Sequence, residues 1–519
     1  MNIDKNQEIN YKTVAFLTLG CKVNSYETEA MQKIFEDAGF LVVDFTKPSD
    51  VYVVNTCTVT NIADRKSRQM LHKARKMNTA AVVVAVGCYV QTAGEVLEQD
   101  DAVDIVIGNN KKKDIIRILN EYYEARSKGN ISREGISSIL NVQDVNAQEL
   151  NTQDLKAQVT MNPRVQNTTV LNQQETDPIT LEEIKADNSL DHNTIGKGNI
   201  IDISTETEYE ELNIESVAEK TRAYIKIQDG CNQFCSYCII PYARGRVRSR
   251  AEASILSEVS KLVQKGYKEI VLTGIHLSSY GVDFDKKESE KHHLLELIMK
   301  LSVTEGLERI RLGSLEPRII TEEFAQTLSG NTKLCPHFHL SLQSGCNETL
   351  KRMNRKYSAE EYYEKCNLLR KYFVNPAITT DVIVGFPGET NEEFEETKRF
   401  LRKISFAQMH IFKYSVRKGT RAEHMPDQVR EEIKNVRSNT LIELEETMET
   451  EYKSAFLDKA ENILIEETMV IDGQAYQIGH NERYLKLAVK SDKDLNNRII
   501  KGKVTGFLNK EMMFCEIMD

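Results

Sequence analysis

No run of apolar residues in the 519-residue chain approaches the roughly eighteen that a membrane-crossing helix needs. The opening stretch MNIDKNQEINYK is polar, so no signal peptide is expected either. Basic surplus is missing as well: the formal charge is −10, which argues against a nucleic-acid binder until the charge is located. Residues 129–215 hold 16 acidic and 5 basic residues, so the remainder carries +1 and leaves room for local basic patches. A disulfide framework is excluded by usage. Ten cysteines in so long a chain, several at metal-type spacing, fit a reducing compartment, and the cytosol is the expected location. Hydrophobic residues at 40% and charged residues at 28% are ordinary for a soluble protein of two to four domains.

The acidic stretch is poor in other things too. Residues 126–215 have no cysteine and one aromatic residue, Tyr209, and residues 141–158 run as a crude five-residue repeat, NVQDV NAQEL NTQDL KAQ. Such a segment cannot bury enough surface to offset chain entropy, and it reads as a mostly disordered insert. A short β-solenoid is the alternative, but so few repeats are poorly placed to bury a core. Tyr209 to Glu219 reads as the approach to the next domain.

What is present alternates strand with helix. In residues 11–125 the strand runs are Val14–Leu19, Val51–Val54, Ala81–Val86 and Ile105–Ile107, with helices between, which predicts an open parallel α/β sheet. Asn24 with Glu27 fits a capping box for the helix that ends near Gly39. Cys21 in TLGCKVN, Cys57 in VVNTCTVT and Cys88 in AVGCYV each follow a strand. Singly, each reads as a buried apolar cysteine. Together, at the ends of strands where α/β sheets bind ligands, they predict one convergent three-thiol metal site.

Residues 216–450 show six strand candidates: Ala223–Gln228, Glu269–Thr273, Arg309–Gly313, His337–Leu342, Thr379–Val384 and Gln408–Phe412. With helices between them they predict a partial (β/α)6 barrel whose site lies at the carboxyl ends of the strands. Directly after the first strand comes DGCNQFCSYC, with Cys231, Cys235 and Cys238 in a C-x3-C-x2-C array. A zinc knuckle would show a fourth cysteine or histidine, and none is adjacent. Three thiolates can hold three irons of a [4Fe–4S] cube and leave the fourth iron open. Residues 451–519 show five short strands and predict a small antiparallel barrel, a shape that often binds nucleic acid.

The array and its flank, DGCNQFCSYCIIPYARGRVRSR, resemble the radical S-adenosylmethionine (SAM) methylthiotransferases. TLGCKVNSYETEAM around Cys21 is similar to the MtaB type, which acts on tRNA, whereas related types carry GCQMN or GCPKN there. The resemblance implies two [4Fe–4S] clusters, one on Cys21, Cys57 and Cys88 and one on Cys231, Cys235 and Cys238, and two molecules of SAM. One SAM would methylate sulfur at the first cluster. The other would be cleaved at the second to a 5′-deoxyadenosyl radical that removes the C2 hydrogen of N6-threonylcarbamoyladenosine at position 37. The alternatives are isopentenyladenosine-37, a ribosomal-protein aspartate, or a non-catalytic iron–sulfur RNA-binding protein. SAM contacts are expected at Gly274, Ser314, Glu316, Gln343, Gly385 and Pro387, at the ends of the barrel strands. His276, His337 and His339 are expected to be packing or polar lining. The anticodon loop of tRNA is expected on Arg244, Arg246, Arg248, Arg250, Lys486 and Lys501. A second patch is Lys351, Arg352, Arg355 and Lys356, and the small C-terminal barrel resembles a TRAM domain. A reductant such as flavodoxin or ferredoxin and a monomeric state complete the expectation.

Overall fold

Alternate residues along β3 (Val51–Thr56) point to opposite layers, and every one of them is buried. In the computed structural model of the chain, β3 is the middle of a parallel sheet with β1 (Thr13–Thr18), β2 (Leu41–Val43), β4 (Val82–Gly87) and β5 (Ile105–Ile107), in the order β2-β1-β3-β4-β5. The structure describes residues 12–128, 198–212, 214, 221–284 and 292–518. Val51 and Val53 pack with Met31 and Phe35 of α1 (Lys22–Asp37) and Ile118 and Leu119 of α4 (Ile115–Ser127). Tyr52 and Val54 pack with Leu71 of α2 (Asn61–Met77) and Leu97 of α3 (Cys88–Glu98). Helices on both faces explain why β3 and β4 read as continuous apolar runs rather than as an alternating pattern.

The second unit begins with β6 (Arg222–Asp229), which leads into α5 (Ile240–Arg244) and the short β7 (Arg248–Ser249). Parallel ladders join β6 to β8 (Glu269–Gly274) and β8 to β9 (Arg309–Leu312). Others join β10 (His337–His339) to β11 (Ala377–Val384) and β11 to β12 (Gln408–Lys413). Isolated parallel bridges, Ile310 with Leu334 and Leu315 with Leu340, carry β9 on to β10. Among the described residues no ladder returns from β12 to β6, so the six-stranded barrel stays open on one side. The outer layer is α6 (Glu252–Gln264), α7 (His293–Ser302), α8 (Glu322–Ser329), α9 (Asn347–Arg352), α10 (Ala359–Tyr372) and α11 (Asn391–Ile404). Thr390 and Glu393 form a capping box that starts α11 sharply after the GFPGE turn.

A long helix, α12 (Glu431–Ser454), leads to a closed five-stranded barrel in the order β13-β14-β15-β17-β16. These strands are β13 (Ala460–Ile471), β14 (Gln474–His480), β15 (Lys486–Val489), β16 (Ile499–Phe507) and β17 (Met513–Ile517). Four of its ladders are antiparallel, as expected, but β15 and β17 run parallel.

Two expectations change. Most of the supposed insert, 129–197, lies outside the described residues. Its end does not behave as an insert. Asn199 bridges to Ile107, Ile201 O accepts from Gln91 at 2.8 Å, and Glu210 accepts from the Lys113 amide at 2.9 Å. Tyr209 OH donates to Lys226 O at 2.8 Å, and Leu212 and Ile214 are buried against the barrel. Residues 198–212, with residue 214, thus form a strap tying the first sheet to the barrel. The supposed capping box is also absent: Cys21 is the N-cap of α1, and Asn24 and Glu27 lie inside the helix, buried.

Candidate active site

Cys21, Cys57 and Cys88 follow β1, β3 and β4, which are neighbours in the sheet. Asn24 ties the ends of β1 and β3 together. Its Nδ2 donates to Leu19 O at 2.7 Å and Thr56 O at 3.0 Å, while its own carbonyl accepts from Asn55 at 3.0 Å. Gly20 has φ +111°, and a Cβ there would lie 2.8 Å from Asn24 Nδ2 and 3.2 Å from Cys57 Cβ, so glycine lets these loops close up. Cys57 and Cys88 are buried and Cys21 is exposed. Burial pushes the Cys57 thiol up to about 12, and the Cys88 and Cys21 thiols beside it push the same way.

The second triplet sits at the carboxyl end of β6. Gly230, at φ +70°, is required there because a Cβ would overlap the Arg246 carbonyl oxygen. The loop is locked by Cys231 N donating to Gly245 O at 3.0 Å and Ser236 N donating to Met353 O at 3.0 Å. Burial pushes Cys231 up to about 11 and Cys238 up to about 12. Arg355 Nη1 donates to Cys235 Sγ at 3.3 Å. Loading either triplet must therefore displace protons from most of these thiols.

The donor sets fit iron–sulfur cubes. Among the described residues neither thiol triplet brings its three sulfurs within 4.8 Å of one another, as one zinc ion would require. Three separated thiolates suit a cube that puts each on a different iron.

Between the triplets lies a buried charge cluster that spans the two units. Arg244 Nε donates to Cys88 Sγ at 3.1 Å. Its Nη1 reaches Glu27 at 2.8 Å and Asp229 at 3.1 Å, and its Nη2 reaches Asn24 Oδ1 at 2.7 Å. Lys226 bridges Glu27 at 2.7 Å and Asp229 at 2.6 Å, and Lys112 lies 3.3 Å from Glu27. Burial alone would raise the Glu27 carboxyl, but Arg244, Lys112 and Lys226 hold it well below the usual carboxylate range. On the far side, Arg417 follows β12 and binds Asn61 at 2.7 Å, Thr58 at 2.6 Å and Asp64 at 2.8 Å, next to Cys57. The first sheet is thus clamped to both rims of the open barrel.

This corrects three RNA-contact assignments. Arg244, Arg248 and Arg250 are all 0% exposed. Arg250 pairs with Glu211 at 3.0 Å and with Glu258, and Arg248 lies 3.9 Å from Asp229. Arg246 is the exposed member of the run, with its guanidinium over the Phe234 ring. Arg355 also leaves the RNA set, because it is committed to Cys235, Tyr357 and Ser341 O. Arg352 binds Glu393 and Pro387 O. Lys501 is exposed, and Lys486 is half-buried beside Glu467.

The expected SAM residues fall into two groups. Gly274, Ser314, Glu316 and Gln343 lie at the carboxyl ends of the barrel strands. Ser314 is exposed, Glu316 binds Arg318 at 2.7 Å, and Gln343, at φ +72°, joins β11 through Asp381 O and Ile383 N. Gly385 and Pro387 are held by internal packing. A Cβ on Gly385 would run into the Lys434 side chain, and Pro387 O accepts from Arg352 at 3.1 Å. The positive φ of Gly385, +71°, and the Lys434 side chain beside it both call for glycine there. On the lumen wall, His339, Asp381 and His410 bring donor atoms within 4.8 Å of one another, a set that can hold a divalent ion.

Residues 225–401 match the Radical SAM superfamily, and residues 13–108 match a family described as uncharacterized protein family UPF0004. A threonylcarbamoyladenosine tRNA methylthiotransferase MtaB from Bacillus subtilis is 37% identical over 98% of this chain and 97% of its own length. The protein of that name from Aquifex aeolicus is 36% identical over 85% of this chain and 89% of its own. The chain belongs to this methylthiotransferase family. A Clostridium botulinum tRNA-2-methylthio-N(6)-dimethylallyladenosine synthase is 29% identical over 94% and 93%. Membership in the radical SAM superfamily carries with it SAM and a [4Fe–4S] cluster. Among the described residues no helix is long and apolar enough to cross a membrane.

Several site roles escaped sequence reasoning. Glu27, Arg417 and Arg355 take theirs only through partners over 100 positions away, and Asp229 takes its own through Arg244, 15 positions on. The one available signal for Glu27 was that a carboxylate inside a helix next to a metal-type cysteine needs no cap to explain it.

Proposed function

We propose that this enzyme replaces the C2 hydrogen of N6-threonylcarbamoyladenosine-37 in tRNA with a methylthio group. The observation that carries the reading is the pairing of two three-thiol sites across Arg244, in a chain related along almost its full length to enzymes of that name. The second cluster would be held by Cys21, Cys57 and Cys88. When bound, the clusters supply the electron that cleaves SAM and the sulfur that is transferred.

The residues of this chain do the rest. Arg244 and Arg417 fix the distance between the two thiol sets, and Arg355 donates to a ligand sulfur of the SAM-side set. The open lumen admits one base, and an anticodon loop can present it unpaired. Ser314, Glu316 and Gln343, at the carboxyl ends of the barrel strands, are the proposed SAM contacts. Arg246, Lys486 and Lys501 are the proposed backbone contacts, the last two on a TRAM-like barrel, with a flavodoxin or ferredoxin as reductant in the cytosol.

Mass spectrometry of tRNA nucleosides from cells with and without this protein tests the reading. Loss of the methylthio-threonylcarbamoyl nucleoside is expected, and loss of the isopentenyl species instead would overturn it. Cys235→Ala should stop 5′-deoxyadenosine release, whereas Cys57→Ala should stop only methylthiolation.

A further inference from the structure

Lys22 stands beside Cys21 and, unlike its neighbours, has no acid. Lys112 and Lys226 each bind Glu27, while Lys22 has no ion pair among the described residues and is exposed. Its Nζ lies 6.0 Å from the ring centre of Tyr224, a half-buried residue of β6. The charged groups around it are Arg222, Arg311 and Glu269, together with the phenol of Tyr484. Glu269 is taken: Arg311 binds it at 2.8 Å and Arg309 lies 3.7 Å away. Arg222 gives one nitrogen to Glu466 at 2.9 Å, and its buried Nη1 has no partner.

Tyr484 comes from the C-terminal barrel. Arg309 donates to His480 O at 3.0 Å, and Arg311 to Asn481 O at 3.1 Å and Glu482 O at 2.8 Å, which fixes the loop against the barrel floor. The Tyr484 ring stacks on His480 at 4.4 Å, with Arg222 and Arg311 at 5.0 and 4.9 Å from its centre. Burial alone would raise its phenol, yet Arg222, Lys22 and Arg311 draw it below its ordinary range, which reports a positive local field.

We propose that Lys22, Arg222, Tyr224 and Tyr484 form an anion subsite that takes the carboxylate of the amino-acid substituent on the substrate base. The inference rests on the proposed function and names what selects its substrate. The threonylcarbamoyl group leaves the purine from N6, two ring positions from C2. A base with C2 turned toward Cys21 therefore extends its carboxylate along the lumen past Lys22. A hydrocarbon substituent would leave Lys22 and Arg222 desolvated and unpaired, so the subsite also rejects uncharged bases.

The test uses full-length, cluster-loaded enzyme on two substrates. One is tRNA bearing threonylcarbamoyladenosine-37, and the other is the same tRNA with that carboxylate capped as its methyl amide. The wild type should favour the acid by about tenfold or more in kcat/KM. Lys22→Gln should bring the ratio of acid to amide toward one, and Lys22→Arg should keep it. Because both substrates are read on one preparation, the ratio does not depend on how much of a variant folds. A Lys22→Gln ratio equal to that of the wild type, or a wild type indifferent to the cap, overturns the subsite. Wild-type enzyme inactive on both tRNAs overturns the proposed function itself.

Discussion

Arg244 Nε donates to the sulfur of Cys88 at 3.1 Å, although the two residues lie 156 positions apart. The same guanidinium holds Glu27 and Asp229, so one side chain couples the first sheet, the barrel and a candidate cluster ligand.

Removing Arg244 leaves two buried carboxylates short of a cation. Arg244→Met should cost about 3–5 kcal/mol of stability, read as a lower denaturation midpoint of the purified protein. Adding Glu27→Gln should recover part of the loss, because the uncompensated charge goes with it. Equal midpoints for the single and double variants would contradict the assignment.

Arg355 places a cation and a donor on Cys235. Hydrogen bonds to cluster sulfurs and nearby positive charge favour the reduced state. Arg355→Met should therefore make the reduction potential of the SAM-side cluster more negative, measurable by a redox titration followed by electron paramagnetic resonance.

Gly230 precedes the C-x3-C-x2-C loop at φ +70°, hard against Arg246 O. On the proposed two-cluster reading, Gly230→Ala should open the loop and lower iron from about eight to about four per chain, the first triplet keeping its share. A full iron complement in this variant would show that the loop tolerates the change.

With Arg244, Arg248 and Arg250 buried, tRNA affinity should depend on the exposed cations. Arg246→Glu and Lys501→Glu should each weaken binding, and each should reduce the slope of log K against log salt by about 0.7–0.9 if one phosphate contact is lost. Filter binding across a salt series reads both effects.

His276 is half-buried, and burial lowers its pKa from 6.5 to about 4. Below pH 6.5 the unfolded chain binds a proton that the folded chain refuses. This contribution is complete above 6.5 and is lost as pH falls toward 4. It is at most about 3 kcal/mol, less with partial exposure. His276→Asn should flatten the stability profile between pH 6.5 and 4, as followed by thermal melts.

The six barrel strands and the two cysteine triplets were legible because each depends on local pattern: apolar runs of strand length, and thiols at fixed spacing. β2 was missed because three residues at an exposed edge leave little periodicity. Asn24 and Glu27 were misread because an Asn followed three residues later by Glu suits a helix start equally well as text. Only the packed chain shows that both side chains turn inward to Arg244. The arginines of RGRVRSR were misread for the same reason. Whether an arginine meets phosphate or a buried carboxylate depends on Glu27, Glu211, Glu258 and Asp229, and no local pattern reports those pairings.

Sequence alone determined which thiols group as candidate metal ligands, at what spacing, and on what kind of scaffold. Ligand identity and strand periodicity are written into neighbouring residues. Tertiary structure decided which cations are spent inside the molecule, which remain to meet a substrate, and how Lys22 comes to face Tyr484 from the opposite end of the chain. Charge pairing acts through space, so its outcome exists only once the distant segments have been brought together.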